Sequence, residues 1–157
     1  MPKIEKLSVT WNGLLPSFTE LVRHWGPPAL RNETAYRDHL LTHIRDSVPA
    51  DTKVEREFRH HGTTIDIWLR WSGLVQRGEI AFELKVNLKK KTEFDRLVGQ
   101  VESLDPRNNN VLLVLIGETD QSLLGRLREK YASQITPPIG TTATLALVEV
   151  PVATNAP

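Results

Sequence analysis

Glu83 and Lys85 stand two residues apart inside an otherwise apolar run, within the stretch GEIAFELKVNLKKK at residues 78–91. If that run is a strand, its period of two puts Ile80, Phe82, Leu84 and Val86 on one face. Glu79, Ala81, Glu83, Lys85 and Asn87 then share the other. An acid beside an amine is commonly just the wet face of a strand, and for an isolated triplet that is the usual use. The same pair can instead hold a cation and steer a nucleophile. Neighbours elsewhere in the chain bear on the choice.

Asp66 is the first of these. TTIDIWLRW alternates so that Ile65, Ile67, Leu69 and Trp71 share one face, with Thr64, Asp66, Trp68 and Arg70 on the other. Paired antiparallel with the Glu83 strand, Asp66 lies beside Glu83 on the same surface. Two adjacent carboxylates repel unless neutralised, and a hard divalent cation such as Mg²⁺ is a natural partner. The plainer alternative is a sheet-edge aspartate beside an arginine such as Arg70.

Glu33 shares its helix's apolar stripe with Leu40 and Ile44, and a carboxylate aimed at a sheet is costly unless paired or metal-bound. It also falls in the first turn, where the helix dipole favours acids. Gln100 flanks the stripe of a later helix beside Leu104, where it either marks a polar boundary or orients a water or phosphate. Lys89, Lys90 and Lys91, with Arg96 following, form a local basic patch. Such a patch is either a solvated turn or a contact for a phosphate backbone.

The elements that must position these residues are readable from periodicity. Residues 1–27 contain a short helix with Pro16 near its first turn and Phe18, Leu21, Val22 and Trp25 on one face; Gly26-Pro27-Pro28 then sets it off as an appendage. The main domain, residues 28–150, opens with a helix capped by Asn32 and ended by Pro49. Three strands follow in an antiparallel meander: KVEREFRH, with Val54 and Phe58 on one face, then TTIDIWLRW, then EIAFELKVNL, with SGLVQRG as the turn before the third. A second helix, KTEFDRLVGQVESL, takes Thr92 as its cap. VLLVLIG is a central strand covered on both sides, followed by a helix around QSLLGRLREKYAS and a last strand, ATLALVEV. The order predicts an α/β fold, a mixed sheet flanked by helices; an alternative loses the last strand. Residues 151–157 read as a frayed tail.

Composition narrows the function classes. The 157 residues suit one domain, with 25% charged and 39% hydrophobic residues as in an ordinary soluble protein. No apolar run approaches the roughly 20 residues of a membrane span, and MPKIEKLSV lacks the apolar core of a secretory signal. A cytoplasmic location is the default expectation. With no cysteine, disulfides and thiolate metal sites are excluded. A net charge of +1 excludes nucleic-acid coating by bulk charge, so any phosphate affinity has to be local.

The order helix Glu, strand Asp, hairpin, strand Glu-x-Lys, helix Gln resembles the PD-(D/E)XK nuclease superfamily. The resemblance covers roughly residues 30–116 and rests on Ile65-Asp66 and Glu83-Leu84-Lys85, with Glu33 and Gln100 in support. Ile65 stands where the family's name has proline, a position that varies within the superfamily. The resemblance implies a restriction-endonuclease-like fold, an αβββαβ core with an added αβ. It also implies an endonuclease hydrolysing DNA phosphodiester bonds with Mg²⁺ or Mn²⁺, in restriction or defence, recombination, or repair. Asp66, Glu83 and the Leu84 carbonyl would hold the metal, with Glu33 completing the shell or holding a second ion. Lys85 would position or deprotonate the attacking water and offset charge, and Gln100 would orient a water or phosphate. Lys89, Lys90, Lys91 and Arg96 would meet the DNA backbone. A homodimer is expected, since one site cuts one strand, with exposed aromatic residues near the N-terminus as its interface.

The competing class keeps the fold without catalysis and binds nucleic acid or a protein partner; retention of both acids and the lysine favours the enzyme. Other motifs carry less. His60-His61 point to opposite faces of a strand, Ser72-Gly73 reads as a turn, and no Walker-type glycine loop or His-Glu-x-x-His helix occurs. Trp11, Trp25, Trp68 and Trp71 read as core or interface anchors, with Trp68 placed to line the cleft on the Asp66 face.

Overall fold

In a computed structural model of the chain, β4 (Asn110–Ile116) is buried at every position from Val111 to Ile116. Such a strand needs cover on both faces. Leu112, Val114 and Ile116 enter one hydrophobic core, while Val111, Leu113 and Leu115 enter a second on the opposite face. β4 lies parallel to β3 (Arg77–Val86) on one side and to β5 (Leu145–Val150) on the other. β1 (Lys53–His60) and β2 (Thr63–Ser72) precede β3 as an antiparallel meander. The fold is therefore α/β, with a five-stranded mixed sheet in the order β1-β2-β3-β4-β5. The structure describes residues 13–60, 62–72 and 77–153.

Helices cover both faces. α1 (Leu14–Arg23) and α2 (Glu33–Ser47) close the first core through Phe18, Val22, Leu40 and Ile44. α3 (Lys91–Ser103) and α4 (Gln121–Lys130) close the second through Phe94, Leu97, Val101, Leu124 and Leu127, and the short α5 (Ala132–Ile135) leads toward β5. From α2 to β4 the order is αβββαβ. Two helices start on side-chain caps: Asn32 Oδ1 accepts the Ala35 N–H at 2.9 Å and Asp120 Oδ1 the Leu123 N–H at 3.0 Å. None of the described helices is long and apolar enough to cross a membrane.

Several expectations are corrected. Thr92 does not cap α3, because the helix already begins at Lys91 and Thr92 lies inside its first turn; the capping position is Lys90, with no side-chain bond. The helix before Gly26-Pro27-Pro28 is no appendage. Phe18 and Val22 are fully buried in the same core as β3 and β4, and Pro28 forms a bridge with Ala153. Phe18 and Trp25 are thus core residues rather than an exposed aromatic interface. Val152 packs against the core as well, so the chain is still ordered past residue 150. Trp11, His61, residues 73–76 of the predicted turn and residues 154–157 of the predicted tail lie outside the described residues, as does the side chain of His60.

The most consequential correction concerns faces. Val54 lies in the first core, yet Phe58 packs against the second; Ile67 lies in the first core, yet Ile65 lies in the second. Strict alternation forbids both. Glu57 has φ of 52°, in the left-handed region, and the pairs Arg56↔Ile67 and Phe58↔Ile65 flank the unpaired Glu57 and Asp66. The left-handed Glu57 inverts the side-chain alternation of β1, and across the same unpaired rung Ile65 and Ile67 of β2 also enter different cores.

Candidate active site

The broken rung is where the acids meet. β2 pairs with β3 from Ser72↔Arg77 as far as Ile67↔Phe82, and one further step would set Asp66 opposite Glu83. In place of that backbone rung, Asp66 Oδ2 accepts the Leu84 N–H at 2.9 Å. Glu83 is only 1% exposed, and its Oε1 has no hydrogen-bond partner among the described residues. Burial pushes its carboxyl up, the Asp66 charge pushes it further, and the result is about 9. Asp66 is raised too, by burial, against the Leu84 N–H, a hydrogen bond from Glu83, and the charges of Arg37 and Lys85. At neutral pH the pair therefore holds one proton, on Glu83 and shared with Asp66.

Lys85 follows on the same face of β3, its side chain 18% exposed, with Nζ 3.8 Å from Glu33 Oε2. Glu33 is the first residue of α2, and its Oε2 also accepts the Val86 N–H at 3.4 Å. Its carboxyl is raised chiefly by burial, with Lys85 opposing and Asp66 adding to the rise. Glu33 is thus both a first-turn acid and a residue that reaches the end of β3. Asp66, Glu83, Lys85 and Glu33 are brought together.

Gln100 is not. It is exposed near the far end of α3, and its described contact is a backbone one, Ser103 Oγ donating to the Gln100 carbonyl at 2.6 Å. α3 starts just beyond the end of β3, so at a rise of about 1.5 Å per residue Gln100 lies roughly 13 Å along the helix. From the first turn of α3, Glu93 is the residue whose charge acts on Glu33. The basic residues divide. Lys89 Nζ is 2.7 Å from Glu118 Oε2 and Lys91 Nζ is 3.2 Å from Asp95 Oδ2, whereas Lys90 and Arg96 are exposed without a side-chain partner among the described residues.

Trp68 does not line this cleft. It is buried in the second core, stacked on Phe58 with centroids 4.2 Å apart, and its Nε1 donates to Glu79 Oε2 at 3.3 Å. Arg70 pairs with Glu79 at 2.9 Å rather than with Asp66. The arginine that does act on Asp66 is Arg37, which the sequence reading missed. It is 8% exposed on α2, and its Nη1 donates to Glu57 Oε1 at 2.9 Å. Its signal lay in the pattern: Arg37 is one turn after Glu33 and shares the buried stripe with Leu41 and Ile44.

Alongside the cluster, Ala29, Tyr36, Val86, Asn87, Lys89 and Gly117 help line a cleft beyond the carboxyl ends of β3, β4 and β5. Ligands of open α/β sheets commonly enter at such ends. Asn87 (φ 51°) caps this end, its Oδ1 accepting the Glu118 N–H at 2.9 Å.

The donor set fits a hard cation on chemical grounds. Two carboxylates share a proton, and one of their oxygens, Glu83 Oε1, is buried and open. Among the described residues no group of three acid, imidazole or thiol side chains stands ready to hold a metal, and Glu33 is engaged with Lys85 and the Val86 N–H. Comparison of the chain with protein-family models, curated proteins and solved structures finds no match.

Proposed function

We propose that this chain is a divalent-metal-dependent nuclease that hydrolyses DNA phosphodiester bonds on a PD-(D/E)XK, restriction-endonuclease-like scaffold. The reading is carried by the half-buried Asp66 and the buried Glu83, set beside Lys85 where β2 and β3 part. Held by these carboxylates, Mg²⁺ or Mn²⁺ would supply an activated water and polarise the scissile phosphate. The chain's own part is positional and electrostatic. The Leu84 N–H fixes the Asp66 carboxylate, and Glu83 would release its proton to solvent in order to hold the metal with Asp66. The Lys85 ammonium offsets the charge that builds on the phosphate oxygens, while Glu33 holds it in line with the strand. Lys90 and Arg96 are free to meet backbone phosphates, a sequence-blind contribution. One such site cuts one strand, so duplex cleavage calls for two copies.

The test is incubation of plasmid and branched DNA with Mg²⁺, Mn²⁺ or EDTA, for wild type, Asp66→Ala and Lys85→Ala. The expected result is metal-dependent cleavage by wild type, reduced at least about 100-fold in both variants. Cleavage undiminished in both variants overturns the site. Binding without cleavage under any metal leaves a nucleic-acid-binding module of the same fold.

A further inference from the structure

The cleft beyond the carboxyl ends of β3, β4 and β5 has a volume of about 550 Å³, within the range of roughly 300–1,000 Å³ that small-molecule sites occupy. Tyr36, Val86, Pro151 and Val152 give it apolar walls, and Asn87, Lys89 and Glu118 give it a polar rim. Lys89 Nζ lies 2.7 Å from Glu118 Oε2, so the charges of the rim cancel and leave it little attraction for an anion. Two hydrogen-bond donors remain. Tyr36 Oη accepts the Leu30 N–H at 3.0 Å, and its own proton has no acceptor among the described residues. Asn87 is anchored through Oδ1, which accepts the Glu118 N–H, and its Nδ2 has no acceptor among the described residues either. An uncharged planar group with acceptors on its edge suits such walls and donors; a phosphate does not.

The cleft begins where the acid cluster ends. Val86 lines it, stands one strand step of about 3.3 Å past Lys85, and donates its N–H to Glu33 Oε2 at 3.4 Å. Tyr36 lies one turn after Glu33 on the same side of α2. A nucleic acid whose phosphate sits between the acids and Lys85 therefore carries a tethered base past the mouth of the cleft. We propose that the cleft receives the base of an unpaired nucleotide next to the scissile phosphate, so that the substrate is unpaired DNA rather than intact duplex. This rests on the nuclease reading above and names its substrate class. A base in a duplex is covered on both faces by its neighbours and on its edge by its partner, and extruding it costs free energy. An unpaired base enters without that cost. The apolar walls take its faces, and the Tyr36 hydroxyl and Asn87 amide donate to its carbonyl oxygens and ring nitrogens. One site cuts one strand, so on such a substrate a single copy of the chain suffices.

The experiment compares wild type with Ala29→Trp and Ala153→Trp, which fill the cleft from two exposed positions of its lining and leave the core alone. Binding is read by fluorescence anisotropy in EDTA at one fixed salt concentration, with a short oligothymidylate and an abasic strand of the same length as probes. Wild type should bind the oligothymidylate about tenfold more tightly than the abasic strand. In both variants that preference should fall at least about fivefold, with affinity for the abasic strand little changed, because phosphate contacts lie outside the cleft. A variant that had merely misfolded would lose both. With Mg²⁺ or Mn²⁺, wild type should cut a single strand at least about tenfold faster than the matching duplex. Equal binding of the two strands by wild type overturns the proposal, as does a preference that survives both substitutions. Duplex cut as fast as single strand overturns it too and leaves the nuclease reading standing. The expected base preference without cleavage under either metal removes the nuclease reading and upholds the base pocket. Binding of neither strand overturns both.

Discussion

Glu83→Gln is the substitution that isolates the buried pair. Glutamine keeps the shape of the protonated acid and can donate to Asp66 as Glu83 does, but it has no proton to lose. In the folded chain the Glu83 carboxyl is raised from 4.5 to about 9, by burial first and by Asp66 second. Its folded value lies above its unfolded one, so its stabilising contribution is fully present below about pH 4.5. That contribution drains away as pH rises toward about 9. Between about pH 5 and pH 8 the folded chain keeps a proton that the unfolded chain has released. At about 1.4 kcal/mol per pH unit the limit over that interval is about 4 kcal/mol, and sharing with Asp66 reduces it to the order of 2–4 kcal/mol.

The assay is thermal unfolding in EDTA at a series of pH values, wild type against Glu83→Gln. The two proteins should unfold at similar temperatures near pH 5 and diverge above it, with the variant roughly 5–15 °C more stable by about pH 8. The same variant should lose metal-dependent cleavage, because a neutral amide is a poor ligand for a hard cation. Parallel curves across the pH series would mean that Glu83 is ionised in the folded chain, and the account of a shared proton would fail. A gain in stability joined to a loss of activity also separates a site residue from a packing residue, whose replacement costs both.

Three further outcomes test the surroundings. Gly117→Ala should lower stability by about 2–4 kcal/mol, read by denaturant unfolding, since Gly117 has φ of 78° and an added Cβ would run into Asn87 Oδ1. With Asn87→Ala also present the clash is removed, so the two costs should be less than additive. Gln100→Ala should leave cleavage within about twofold of wild type, because the residue sits far along α3 and away from the acids. Lys90→Ala with Arg96→Ala should instead weaken DNA binding and reduce the slope of log affinity against log salt by about 2, if both meet phosphates.

Most of the architecture was legible because it follows from burial. VLLVLI could only be a strand covered on both faces, and Ile80, Phe82 and Leu84 do share the first core while Ala81 turns to the second. The Asn32 cap was legible from local chemistry. α1 was misjudged because Gly26-Pro27-Pro28 breaks the helix without breaking the packing; Phe18 and Val22 are apolar enough to require the sheet. Thr92 lost its cap to a helix that begins one residue earlier.

The site was legible as composition and only partly as geometry, and the reason is a single rung. A period-two reading assumes that every residue of a strand has negative φ, and Glu57 does not. Nothing about a glutamate announces the left-handed region, which glycine and asparagine visit more readily. With Glu57 inverted, Phe58 turns to the second core beside Trp68, and across the same rung Ile65 and Ile67 enter different cores. Asp66 meanwhile is left without a ladder partner, so its carboxylate takes up the Leu84 N–H. Arg37 was legible only in part: it shares the buried stripe of α2 with Leu41 and Ile44, but its partner Glu57 meets it from the irregular rung. The strained backbone, the missing rung and the buried cation are one local arrangement. Strain of this kind persists only where surrounding contacts over-determine it, and here those contacts are the groups that also hold the acids.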